Sequence, residues 1–288
     1  MVTSPGCPLP SSYRAFRSLL GLVVTLALAA CAQSFRAPGR AVPGPAGAFA
    51  AAPLSGGRIA VLAGDARTKA IFIIDHRTGD VLGSFGVTKE ATGIAAQTEE
   101  GPLLLSVGLE RRGRLLGAVE QWSLQGIKER IVPLPTEALG ITRVVRGVAY
   151  VLLAGEGEVR AAVPVDTPSL RVGEVVPLGA GASSLQHCWS DDGEYLLYTQ
   201  GDEGWLTIRS IRSSGESRSR VTAAGETCSR DGAIAYAIAG NVLSRSVLVM
   251  SIPQLGALSS IPASRDAIAL YETDDHHLVA LNSTQRSR

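Results

Sequence analysis

Residues 57–288 predict an all-β fold of repeated short strands, a β-propeller, and three observations carry that prediction. First, apolar runs of strand length recur at near-constant spacing. They begin at Arg58 (RIAVLAG), Leu103 (LLLSVG), Val148 (VAYVLLAG), Tyr195 (YLLYTQG), Ala233 (AIAYAIAG) and His277 (HLVALN), at intervals of 45, 45, 47, 38 and 44 residues. Second, further apolar runs lie between these members and are joined by glycine-bearing turns, which is the pattern of β-hairpins. Third, no segment after Ser55 sustains a helical period over three turns, and Thr136 to Arg143 is the one place where a short helical turn fits. A repeat of about 44 residues with about four short strands suits a propeller blade, whereas solenoid rungs run to about 20 to 30 residues.

From Arg58, five units fit before Arg265, and strands at Ala267 to Tyr271 and His277 to Leu281 begin a sixth. Six blades are therefore expected, with five as the alternative. Either the stretch near Ala48 to Leu54 supplies strands that close the ring, or the last blade is incomplete.

The N-terminus divides off in order. The first 17 residues carry Arg14 and Arg17 and no acid, and an uncharged apolar stretch runs from Ser18 to Ala30. That order is a secretory signal. At about 13 residues the stretch is short of the roughly 20 needed to cross a bilayer as a helix. Leu28-Ala29-Ala30-Cys31 resembles the lipobox of bacterial lipoproteins. The resemblance implies cleavage after Ala30, a diacylglycerol on the Cys31 thiol and acylation of the new N-terminus, for example by palmitate. Two or three acyl chains hold a soluble domain stably at a membrane, where one holds only marginally. The alternative is an ordinary signal peptide whose cleavage site happens to precede a cysteine. In that family an Asp after the cysteine often marks retention in the inner membrane. This chain has Ala32 there, so in a cell with two membranes the outer one, facing the periplasm, is expected.

The expected organisation is thus a signal peptide over 1–30, a lipidated cysteine and a flexible Ala/Gly/Pro-rich tether over 31–56, and a single propeller domain over 57–288. A formal net charge of +1 and 5% aromatic residues leave no electrostatic footprint or stacking platform for nucleic acid. The expected partners are the membrane, through covalent lipid, and an envelope protein or small ligand.

Two segments carry a further resemblance. Ala70 to Phe85, AIFIIDHRTGDVLGSF, is similar to the strand-turn-strand half of a blade in YVTN-type and quinoprotein-like propellers. Cys188 to Gln200, CWSDDGEYLLYTQ, resembles the inner-strand junction of TolB-like repeats, with Asp191 where that family has proline. A fainter echo follows at Cys228-Ser229-Arg230-Asp231-Gly232. The resemblance spans roughly 57 to 281 and implies the fold rather than a substrate.

Few residues read as chemical. Once Cys7 leaves with the signal and Cys31 is lipidated, Cys188 and Cys228 remain, at equivalent points of neighbouring repeats. In an oxidising compartment such a pair suggests a disulfide, and the alternative is two buried free thiols. Asp274-Asp275-His276-His277 is the densest set of potential metal ligands. Adjacent strand residues point to opposite faces, so a turn before a strand is expected there and no metal site. Asp191-Asp192-Gly193-Glu194 lacks calcium-loop spacing and reads as a hairpin turn. Gly181-Ala182-Ser183-Ser184-Leu185 fails the nucleophile-elbow pattern at its last position, and His187 beside it reads as structural. Trp122, Trp189 and Trp205 read as blade packing. No catalytic set and no cofactor is expected.

The leading functional expectation is a non-catalytic binding or scaffold module at the cell envelope, working through a loop face or the central channel. The alternative is a propeller-class enzyme, lactonase- or hydrolase-like, with a metal at the channel mouth. A sensor of a small ligand is a third reading that the sequence does not separate from the first.

Overall fold

The computed structural model describes residues 44–282, apart from 112–113, 156, 202–204, 214, 222 and 241–243. Five antiparallel blades stand around a channel, four of them four-stranded and one five-stranded, and a two-stranded sheet takes the sixth place. Blade 1 comprises β1 (Ala48–Leu54), β2 (Arg58–Gly64), β3 (Lys69–Asp75) and β4 (Val81–Val87). Blade 2 follows with β5 (Ala91–Ala96), β6 (Leu103–Arg111), β7 (Arg114–Trp122) and β8 (Lys128–Leu134). In blade 3, β9 (Ala138–Ile141), β10 (Val148–Ala154) and β11 (Val159–Asp166) are completed by two short strands on the edge of β11. These are β12 (Arg171–Val172) and β13 (Val176–Ala180). Blade 4 is β14 (Gln186–Ser190), β15 (Gly193–Gln200), β16 (Trp205–Ser210) and β17 (Glu216–Arg220). Blade 5 is β18 (Ala223–Cys228), β19 (Ile234–Gly240), β20 (Arg245–Ser251) and β21 (Ala257–Ala263), and the last sheet is β22 (Ala267–Glu272) with β23 (Leu278–Asn282).

The members of the sequence repeat are the second strands, β2, β6, β10, β15, β19 and β23. In the five complete blades such strands have a neighbour on each edge and a blade against each face, so they bury aliphatic runs, whereas β23 pairs only with β22. In both β2 and β10 the five central residues are buried. The hairpin reading of Ala70 to Phe85 holds in detail. Asp75 ends β3, its Oδ1 accepts from the Arg77 amide at 2.8 Å, and Gly79 adopts a φ of 84° in the turn before β4.

Three expectations are corrected. Among the described residues the ring has five complete blades rather than six, and the sixth unit has two strands. The propeller begins at Ala48 and not at residue 57, since β1 pairs with β2 from Ala48 to Leu54. Thr136 to Arg143 is not a helical turn but carries strand β9, which pairs with β10.

No single central core exists. Six apolar seams lie between successive sheets, such as Leu62, Ile71, Leu105 and Trp122 between blades 1 and 2. The seams on either side of the last sheet close the circle: Leu270 and Leu278 pack against Ile238 and Val247 of blade 5, while Tyr271, Val279 and Leu281 pack against Phe72 and Ile74 of blade 1. Polar bonds tie that closure. The Ala51 amide donates to the buried Tyr271 hydroxyl at 2.9 Å, the Gly56 amide to Asp274 at 2.8 Å and Arg77 to Asp275 at 2.7 Å.

Candidate functional site

The first strand of each sheet faces the axis, and those of blades 1 to 3 are rich in small residues: AFAAAPL in β1, ATGIAA in β5, ALGI in β9. Crowding at the axis explains the composition. A Cβ on Gly93 would stand 2.9 Å from the Ile141 amide nitrogen of the next blade, and one on Gly225 would stand 2.5 Å from the Ile268 carbonyl. What remains between the strands is a cavity of about 490 Å³, touched by residues of all six inner strands or the turns beside them.

Its wall is asymmetric. Blade 1 presents mostly apolar surface, including Ala50 and Pro53, blade 2 mixes Ile94 and Ala95 with Thr92, Gln97 and Glu99, and blades 4 and 5 present Ser183, Ser184, Gln186 and Thr227. One end is tied across the ring by charge. The Arg230 guanidinium pairs with Glu99 of blade 2, and the Arg230 amide donates to Glu272 of the last sheet. From the β9–β10 connection Arg143 reaches over to donate to the Ser229 carbonyl at 2.8 Å. Burial lowers the pKa of Arg143, opposed by the nearby charges of Glu272 and Asp231.

A second polar group lies behind the serine side of the wall. Glu226 of β18 is 2% exposed, and burial pushes its pKa up to about 7, opposed by hydrogen bonds from Ser184 and Thr199. Thr199 donates to Glu226 Oε2 at 3.1 Å and Ser184 donates to Thr199 at 3.1 Å, while Glu226 Oε1 has no partner among the described residues. This chain of hydroxyls leads from a buried carboxyl to Ser184 on the cavity wall.

The residues singled out in the sequence fall in different places. Cys31, its signal and residues up to 43 of the tether lie outside the described residues. Cys188 on β14 and Cys228 on β18 are fully buried in the seam between blades 4 and 5 and meet with Cα atoms 5.8 Å apart, within the span of a disulfide. Asp274 to His277 is a turn, as expected, but its acids are engaged in ring closure. Burial opposes the charge on Asp275, yet bonds from Thr273, Arg77 and His277 hold its pKa well below the usual carboxylate range. Among the described residues no three His, Cys, Asp or Glu side chains are grouped to hold a metal ion.

Asp191 and Asp192 form the β14–β15 hairpin turn. His187 is held on both ring nitrogens: Nε2 is 2.9 Å from Glu194 Oε1, Nδ1 is 3.2 Å from the Val148 carbonyl, and Tyr150 meets its ring edge-on at 4.9 Å. Trp122 packs in a seam against Phe85, as expected of a blade residue. Trp189 does not share that role, since Arg146 lies 3.9 Å over its ring and Arg212 5.7 Å.

Arg143, Arg230 and Glu226 were missed in the sequence. Aligning the repeats on their first rather than second strands places an acid at 226 inside a small-residue inner strand, which is the signal that finds it.

These features define the class: a β-propeller whose axial cavity carries a charged cross-tie at one end. No protein-family model and no curated protein sequence matches the chain. Solved structures do share its fold. Kuenenia stuttgartiensis hydrazine synthase is similar with a TM-score of 0.54 at 11% identity, over 87% of this chain and 99% of that one. The Pan2 WD40 domain of Neurospora crassa has a TM-score of 0.54 at 12% identity, over 79% of this chain and 68% of that domain. A Bacteroides caccae protein described as of unknown function has a TM-score of 0.55 at 14% identity, over 77% and 81% of the two chains.

Proposed function

We propose that the chain is a cell-envelope lipoprotein, tethered through lipid on Cys31, whose propeller is a non-catalytic module that binds a small ligand in its central channel. The cavity carries this reading. Its volume of about 490 Å³ falls in the range of small-molecule sites, about 300 to 1,000 Å³, and its wall joins apolar surface to a few polar groups. Binding rather than chemistry suits those polar groups. Ser183 and Ser184 line the cavity, but the histidine nearest in sequence, His187, is committed to Glu194 and Val148. The tether residues between Cys31 and β1 then serve as a leash that holds the propeller off the bilayer.

Gly140 supplies the test. It lines the cavity, and a Cβ there meets nothing within 4 Å, so Gly140→Leu narrows the channel without forcing the backbone. Native mass spectrometry of protein extracted from envelopes in mild detergent is expected to show a small-molecule adduct on the wild type and none on Gly140→Leu. A bare wild-type mass, or an adduct retained by the narrowed variant, contradicts the reading.

A further inference from the structure

We infer that the ligand of the channel is a small monocarboxylate held by Arg143. This rests on the channel as the binding site and names the chemistry it selects. Three guanidinium groups line the cavity, those of Arg143, Arg146 and Arg230. Arg230 is neutralised by Glu99, and Arg146 is spread over the Trp189 ring. Arg143 is in no ion pair and no ring stack among the described residues: its one hydrogen bond goes to the Ser229 carbonyl, and a guanidinium offers five N–H donors in a plane.

The nearby acids do not take up those donors. Glu272 accepts from the Arg230 amide and lies 3.1 Å from His276 Nδ1. Asp231 accepts from the Ser229 hydroxyl and from the Ala233 amide. What results is a desolvated, persistently charged fork beside a cavity, the arrangement that recognises an oxyanion by two parallel bonds. A carboxylate fits better than a phosphate on two counts. A planar carboxylate matches the two parallel donors of the fork, and a dianion would meet more repulsion than a monoanion from Glu99 and Glu272 on the same lining. Part of the wall, formed by Ala50, Ile94, Ala95, Ile141 and Val144, is apolar, which suits a short hydrocarbon body.

Calorimetric titration of the folded protein with hexanoate, with its neutral isostere hexanamide and with inorganic phosphate tests the inference. Hexanoate is expected to bind the wild type and to bind Arg143→Gln about 10- to 100-fold more weakly, the weight of one charge-assisted pair. Arg143→Lys, which keeps the charge and loses the fork, is expected to fall between them and stands in if the glutamine variant does not fold. Hexanamide and phosphate are expected to bind the wild type far more weakly than hexanoate. Absence of hexanoate binding, equal binding of hexanamide, tighter binding of phosphate, or indifference to Arg143 overturns the assignment. Gly140→Leu separates the two levels. If hexanoate and hexanamide bind alike and both are lost in that variant, the carboxylate inference fails and the channel stands. If binding depends on Arg143 yet persists with the channel narrowed, the channel reading itself fails.

Discussion

Glu226 sits where a carboxylate is hardest to keep charged, between two blades, with one oxygen unpartnered among the described residues. Its ordinary pKa of 4.5 rises to about 7 in the fold, so the folded chain keeps a proton that the unfolded chain releases. The sign follows: stability falls as pH climbs through the interval from 4.5 to about 7, and the full penalty is present above it. Each tenfold change in proton affinity between the folded and unfolded chain is worth about 1.4 kcal/mol. Glu226→Gln is therefore expected to stabilise the protein at pH 8 by at most about 3 kcal/mol and to bring no gain at pH 4. Urea denaturation at the two pH values checks it, and a variant less stable than wild type at pH 8 contradicts it. Two residues further along β18, Cys228 meets Cys188. The sequence left bonded and free thiols equally open, because it does not say whether inner strands of neighbouring blades approach within reach; the 5.8 Å between the Cα atoms supplies that fact. Thiol titration of the mature protein in denaturant without reductant is expected to find neither cysteine free, and two free thiols per chain would sink the disulfide. By the chain-entropy estimate, a bond closing a loop of 40 residues contributes about 4 kcal/mol.

The last sheet is the element on which closure depends. Among the described residues it has two strands, shares no ladder with blade 1, and is held by side-chain seams and a few bonds, among them the Ala51 amide to the Tyr271 hydroxyl. Tyr271→Phe leaves that amide without an acceptor and is expected to cost about 1 to 3 kcal/mol. Hydrogen exchange should quicken first in β1, β22 and β23; a loss spread evenly over all blades would contradict a local latch. Asp275 adds an acid-sensitive part, since its lowered pKa gives stability that is lost as pH falls through it. How far such elements can be read from sequence depends on their place in the blade. Second strands stand out because both faces are buried and the residues are large, as in VAYVLLA. Inner strands hide for the converse reason. The inner strands of blades 1 to 3 are rich in Ala and Gly, so AFAAAPL passes for a tether and ALGI for a turn of helix. The channel is made of those strands, and for that reason the site was less legible than the fold.

At the scale of the molecule, the wedge shape of the blades produces both results at once: broad apolar seams that hold the ring and a narrow axial cavity that the small residues leave open. Arg143, Arg230 and Glu99 come together only because turns of blades 2, 3 and 5 meet at one mouth of that cavity, a juxtaposition across 131 residues for the pair Glu99 and Arg230. Where such a ring works is a separate matter, and it rests on Cys31. The mass of the N-terminal peptide of the membrane-bound protein tests the proposal of a lipid-held binding module most directly. The expected result is a peptide that begins at Cys31 and carries a diacylglycerol on its thiol; a peptide of the membrane-bound protein with an unmodified Cys31 would contradict it.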